Sequence, residues 1–135
     1  MELVTWDTSF SVNVEMIDKQ HQMLFQIVNK LNNAMLNGNE KETIGKLINK
    51  LITYAAMHFA REEDYFDKFG YPETDVHKNQ HNEFEKKVSV FEADFTADRQ
   101  SLSQDIMQFL SNWLVEHIKV SDKKYSTFLT ERGVQ

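Results

Sequence analysis

The sequence predicts an all-α protein, an up-down-up-down four-helix bundle with an irregular N-terminal arm and a short C-terminal helix. Three observations point there. Four stretches carry apolar residues at three-and-four spacing, the stripe of a helix with one buried face. Only one proline and four glycines occur in 135 residues, so breaks are few and each marks a boundary. The connections are short, which makes consecutive helices antiparallel neighbours. At 15.9 kDa, residues 1–135 read as a single domain, long enough to bury a core without staples.

Residues 1–16 mix Val4, Trp6, Phe10, Val12 and Val14 with short polar residues and show no helical period. They are expected to lie as an arm across the body. A first helix is predicted over 17–37, with Ile17, Leu24, Phe25, Val28, Leu31 and Met35 on one stripe and His21 among them. Asn37-Gly38-Asn39 tolerates a left-handed cap and ends it. The second helix spans 41–69, with Ile44, Leu47, Ile48, Leu51, Ala55, Phe59, Phe66 and Phe69 facing in, and His58 and Glu62 continuing that line. Gly45 costs about 1 kcal/mol relative to Ala, which so long a helix can carry. Gly70 and Pro72 stop it.

Thr74 is the expected N-cap of a third helix over 75–95. Its inner line of His77, His81, Phe84, Val88, Phe91 and Phe95 alternates steps of four and three, the seam of a bundle helix. The box Ser101-x-x-Gln104 introduces a fourth helix over 102–120, lined by Ile106, Phe109, Leu110, Trp113, Leu114 and His117. His117 and Asp122 are five apart, about 140° round an ideal helix. They can share a face only if the helix ends or widens, so a break is expected near residues 120–122, with a short helix over 123–131 beyond it.

Composition excludes several function classes. The chain has no cysteine, which removes disulfides, thiolate nucleophiles and Fe–S clusters and leaves nitrogen and oxygen to hold any metal. A net charge of −6 and a pI near 5.3 offer no basic patch for nucleic acid or an anionic membrane. Neither a secretory leader nor a bilayer-length apolar run is visible. The expectation is a soluble, cytoplasmic monomer.

All five histidines fall on inward stripes. His58 and Glu62, and His77 and His81, are pairs four residues apart, so each pair projects from adjacent turns of one face. In an up-down-up-down bundle the starts of the first and third helices meet the ends of the second and fourth. His21, His58, Glu62, His77, His81, His117 and Asp122 should therefore converge at one end of the core. Five imidazoles and two carboxylates in an apolar interior would cost several kcal/mol for each unpaired ion. A cation offsets that cost, and imidazole suits Zn, Cu, Fe or Ni. The set is too large for one tetrahedral ion but fits two. With both carboxylates and a solvent oxygen as bridges and the histidines split three and two, one ion has six ligands and the other five, leaving one position open to a small molecule.

The order His, His-x-x-x-Glu, His-x-x-x-His, His-x-x-x-x-Asp is similar to the hemerythrin family of non-haem di-iron oxygen-binding proteins, over nearly the whole chain from Trp6 to about Gly133. Ile17-Asp18-Lys19-Gln20-His21 looks like the Ile-Asp-x-Gln-His of bacterial members, and Trp113-Leu114-x-x-His117-Ile118 like the family's Trp-Leu-x-x-His-Ile. Asn13 stands where bacterial relatives often have Gly, and Tyr65 and Phe66 where aliphatic or Met residues are expected. The resemblance implies two irons with an oxo or hydroxo bridge. His77, His81 and His117 would hold the saturated iron, His21 and His58 the open one, and Glu62 and Asp122 would bridge.

It further implies reversible binding of O2 for storage, delivery or scavenging, in a pocket lined by Trp113, Leu114 and Ile118. Leu24 and Phe25 join that lining on helical spacing alone. The alternatives are an oxygen, redox or iron sensor acting through a partner protein, and a di-iron reductase of peroxide or nitric oxide. A His-rich shell with no evident acid or base beyond the ligands favours a carrier over an enzyme.

Overall fold

The computed structural model describes residues 3–97 and 103–135, and the described residues form helices and connecting turns with no strand among them. Four helices, α1 (Glu15–Leu36), α2 (Lys41–Phe69), α3 (Thr74–Thr96) and α4 (Ser103–Glu116), are followed by a π-helical turn (His117–Asp122) and a short helix α5 (Lys123–Thr130). Helix α1 packs on α2 and α4, and α3 also packs on α2 and α4. This is the predicted bundle. The capping box Ser101-x-x-Gln104 falls on residues outside those described.

The predicted stripes are the buried faces. Leu24, Phe25, Val28 and Leu31 of α1, Ile48, Leu51, Ala55 and Phe59 of α2, Phe84 and Val88 of α3, and Leu110 and Leu114 of α4 share one apolar core. A second cluster lies at the end of the bundle where the chain starts and finishes, around Val12, Val14, Ile17, Phe66, Tyr71, Tyr125 and Leu129. Phe66, the unexpected aromatic, is a fully buried member of it, and Tyr65 packs on its edge.

Two stops work as the sequence suggests. Gly70 takes φ +68°, Tyr71 N–H donates to Phe66 O at 3.0 Å, and the two rings pack 5.0 Å apart. That pairs the six-residue hydrogen bond of a Schellman end with its apolar contact. Gly38 at φ +66° does the same for α1, with Asn39 N–H donating to Ala34 O.

Four details differ from expectation. The arm is less irregular than its sequence: Thr8–Phe10 forms a 3-10 turn whose first N–H groups are served by Asp7. It is pinned by Asn29, whose amide accepts from Leu3 and Val4 N–H and donates to Val4 O. Helix α1 starts two residues early, because Asn13 turns the chain at φ +60° and Asp18 folds back to accept from Val12 N–H at 2.9 Å and Ser11 Oγ at 2.6 Å. Thr74 is not an N-cap. It is already helical, and its hydroxyl donates back to Tyr71 O at 2.6 Å.

Finally, the chain does not break near 120–122. It stays helical and widens from His117, with Lys123 N–H donating to Ile118 O five residues back and Lys123 still in the right-handed region.

Candidate metal centre

The widened turn is what completes the site. With hydrogen bonds closing over five residues, His117 and Asp122 come to one face, and both are buried. His21 comes from the start of α1, His58 and Glu62 from the far half of α2, and His77 and His81 from the start of α3. Each of the seven is at most 6% exposed. All seven predicted positions meet.

Their donor atoms form two overlapping groups. Glu62, His77, His81 and His117 have donors within 4.8 Å of one another, as do His21, His58 and Glu62. Asp122 spans the two: its Oδ1 lies 2.9 Å from His77 Nε2 and 3.1 Å from His117 Nε2, while its Oδ2 lies 3.1 Å from His21 Nε2. Glu62 Oε1 is 3.1 Å from His81 Nε2 and 3.4 Å from His58 Nε2, and its Oε2 is 3.9 Å from His21 Nε2.

These close approaches are not hydrogen bonds. The Nε2 atoms of His21, His77, His81 and His117, Glu62 Oε1 and both Asp122 oxygens are buried without a hydrogen-bond partner. The outer ring nitrogens explain why. His58 Nδ1 sits 2.7 Å from Gln20 Oε1, and His81 Nδ1 sits 2.8 Å from Glu63 Oε2. Both partners are acceptors, so Nδ1 carries the proton and Nε2 turns its lone pair inward. Lone pairs of nitrogen facing lone pairs of oxygen repel unless a cation lies between them. The residues fit a metal.

Burial would lower the His21 pKa, but Asp122 and Glu62 facing it raise it above the usual value, so the two carboxylates draw positive charge to this point. Burial drives the His58 pKa down to about 3, against the pull of Glu62, so its ring stays neutral and able to ligate. Burial and the Asp122 charge would raise Glu62, yet it is held at about 2, as a carboxylate facing positive charge is. Burial would raise Asp122 too, yet His117, His21 and His77 keep it well below the ordinary carboxylate range. Tyr125 donates its phenol to Glu62 Oε2. Burial, with the Asp122 and Glu62 charges, pushes that phenol well above its usual pKa, so it remains a donor.

Aromatic rings pack against the histidines. Phe59 stacks flat on His81 at 3.9 Å, Trp113 flat on His117 at 4.3 Å, and Phe66 meets His77 edge-on at 4.8 Å. Leu24, Phe25, Leu114 and Ile118 are buried in the adjoining core, one turn or less along the chain from His21 and His117, and half-buried Trp113 packs against the same cluster.

The comparisons with known proteins can be set beside this geometry. The family model for the hemerythrin HHE cation binding domain matches residues 12–129. The chain belongs to the hemerythrin family. It is 37% identical to a bacteriohemerythrin of Methylococcus capsulatus, over 96% of this chain and 99% of that protein. A hemerythrin-like protein of Naegleria gruberi is 31% identical over 92% of both chains. A crystal structure of wild-type hemerythrin superposes with a TM-score of 0.88 at 36% identity, covering 95% of this chain and 98% of that one. Among the described residues of this family member, no helix is long and apolar enough to cross a membrane.

Two residues beside the centre are not apparent from the sequence reading. Tyr125 follows Asp122 by three and so shares its helix face, a signal available to anyone asking what holds the second oxygen of Glu62. Glu63 offers no such signal, since its pairing with His81 depends on how far apart α2 and α3 sit. Gln20 stands in the sequence only as part of a motif, and the structure gives it a task.

Proposed function

We propose that the chain holds two iron ions at this centre and takes up O2 reversibly beside one of them, without turning over a substrate. The observation that carries this is Asp122, a fully buried carboxylate with one oxygen toward His21 and the other toward His77 and His117, neither hydrogen-bonded. A carboxylate so placed could bridge two ions. His77, His81 and His117 would serve one, His21 and His58 the other, with Glu62 and Asp122 reaching across both.

Five imidazoles bound through their ring nitrogens, which as ligands carry no charge, and two carboxylates would leave a charge of −2 in an apolar interior, which two divalent ions and one bridging oxo or hydroxo group would offset. The iron pair, when bound, supplies the electrons that O2 takes up on binding. The chain's own residues do the rest. Three imidazoles would serve one ion and two the other, which would put the uptake position on the His21 and His58 side. Leu24, Phe25, Leu114 and Ile118, with Trp113, would form the apolar wall that keeps water and its protons away from bound O2, being core residues beside His21 and His117. Tyr125 and the outer hydrogen bonds of His58 and His81 fix the donors in place without a general acid or base near the uptake position.

The test is anaerobic reduction of the purified protein, followed by admission and removal of O2 with visible absorption and iron content measured together. Two irons per chain and a charge-transfer band that appears and reverses are the expected result. Two irons with irreversible conversion to the ferric form, or sustained consumption of peroxide or nitric oxide, would replace this reading with a reductase.

A further inference from the structure

One chain of contacts leads from the centre to solvent. Gln20 Oε1 accepts from His58 Nδ1 at 2.7 Å, and the other end of the same amide, Gln20 Nε2, donates to the thioether sulfur of Met57 at 3.8 Å. His58 and Gln20 are buried, whereas Met57 is 42% exposed. A planar amide that donates at one end and accepts at the other is polarised as a unit. A stronger acceptor on its NH2 makes its oxygen a stronger acceptor for the imidazole N–H. A thioether is among the weakest acceptors a side chain offers. It is also one that peroxide converts to a sulfoxide, with a strong acceptor oxygen in the same place. The N···S separation leaves room for that oxygen, set off the line between the two atoms.

We propose that Met57 is a peroxide-modification site whose sulfoxide tightens the hold of Gln20 on His58. This rests on His58 being an iron ligand. In the step, the sulfur attacks one oxygen of hydrogen peroxide, and the S–O bond forms as the O–O bond breaks. The sulfur gives up two electrons, and the proton on the transferred oxygen goes to the departing hydroxide, which leaves as water. The new oxygen takes the Gln20 N–H that sulfur held loosely. The Gln20 carbonyl then pulls harder on the His58 Nδ1 proton, and His58 Nε2 becomes the better donor. Peroxide in the surroundings would thus be written into the half of the centre that meets O2.

Met16 is also 42% exposed and serves as the internal control. The iron-loaded chain, prepared in the ferric form, is treated with hydrogen peroxide; sulfoxide is measured at both methionines by peptide mass spectrometry, and iron loss to a chelator is timed in parallel. Met57 should oxidise at least as fast as Met16. Iron loss should slow by about two- to threefold, less than the 10- to 100-fold that removing an outer partner costs. Met57→Leu should show no slowing, and Gln20→Leu should still form the sulfoxide without slowing.

The proposal is overturned if Met57 stays reduced while Met16 oxidises, if iron loss is unchanged or faster with Met57 oxidised, or if Met57→Leu responds as the parent does. Iron content before treatment separates the two layers. A His58→Ala variant that keeps both irons overturns the ligand reading and this proposal with it; an iron content that depends on His58, with no response to Met57 oxidation, overturns this proposal alone.

Discussion

The two halves of the centre are built from different materials. His77, His81 and His117 each lie against an aromatic ring, two of them in flat stacks. His21 and His58 meet each other edge-on at 4.6 Å, and the next turn beyond His21 carries Leu24 and Phe25. A ring lying flat on an imidazole, as at His81 and His117, limits the orientations it can take. On the other side Phe59 is only tilted against His58, at 5.8 Å, and among the described residues no ring lies flat on His21 or His58, so the surroundings fix less and can yield to a small guest. On the proposed function, the difference would give metal retention to one half and ligand access to the other, although the same bundle end holds both.

The largest effect expected is from emptying both halves at once. An ion at a hundred times its Kd adds about 2.7 kcal/mol of stability, so two add about 5. At roughly 2–4 °C per kcal/mol for a chain of this size, stripping the iron under reducing conditions should lower the Tm by about 10–20 °C. His77→Ala or His81→Ala should lower iron content and Tm together, because ligand binding is folding free energy here. Unchanged thermal melting after the iron is gone would mean the bundle holds its orphaned donors without help.

Breaking the aromatic half comes next. Phe59 is 2% exposed and is the flat partner of His81, so Phe59→Ala should cost about 3–5 kcal/mol and also reduce iron content. Ile48, fully buried on the same helix, is the control. Ile48→Ala should cost about 2–5 kcal/mol and leave iron content alone. Equal iron loss in the two variants would remove the special role of the stacked rings.

The ease of reading the sequence follows the same division between local and long-range causes. His58 with Glu62 and His77 with His81 are legible because a four-residue step on a regular helix fixes direction without reference to anything else. His117 and Asp122 needed a departure from that regularity, and of the two ways open to them, an end or a widening, it is a widening, begun already at His117. A five-residue turn is stabilised by what both side chains face, which lies on other helices. Thr74 differs for a local reason: it is already in the helix, and its hydroxyl donates back to the Tyr71 carbonyl three residues earlier. The arm's Val4, Val12 and Val14 are buried though nothing in their spacing says so, because Asn29 and Asp18 fasten that backbone from α1. Glu63 and Tyr125 stand at distances the bundle sets.

Leu114 is the test of ligand access: Leu114→Ala should cost about 2–5 kcal/mol, toward the lower end if neighbours collapse into the space. Iron content should stay at the parent level, since Leu114 offers no donor. Conversion of the O2-bound protein to the ferric form should speed up, as water gains entry to a site whose dryness Leu114 helps maintain. A parent-like autoxidation rate with a measured loss of stability would leave Leu114 as core and place the wall elsewhere. Phe59→Ala is expected to show the opposite ranking, with iron lost before oxidation accelerates.

The smallest effects come from the outer partners, and they test the comparison most finely because each half has one. Gln20 is 8% exposed and holds His58, so Gln20→Leu removes a buried partner and should weaken iron binding by about tenfold. Glu63 holds His81 at a similar distance, but its side chain is 29% exposed and solvent screens its charge. Glu63→Gln keeps an acceptor oxygen for the His81 Nδ1 proton, and Phe59 still lies flat on the ring. Its effect on iron binding should stay under about threefold. Chelator competition on the two variants reads the difference directly. If Glu63→Gln loses iron as readily as Gln20→Leu, charge on the outer partner governs both halves, and the aromatic stacks do not make the three-histidine side the firmer one.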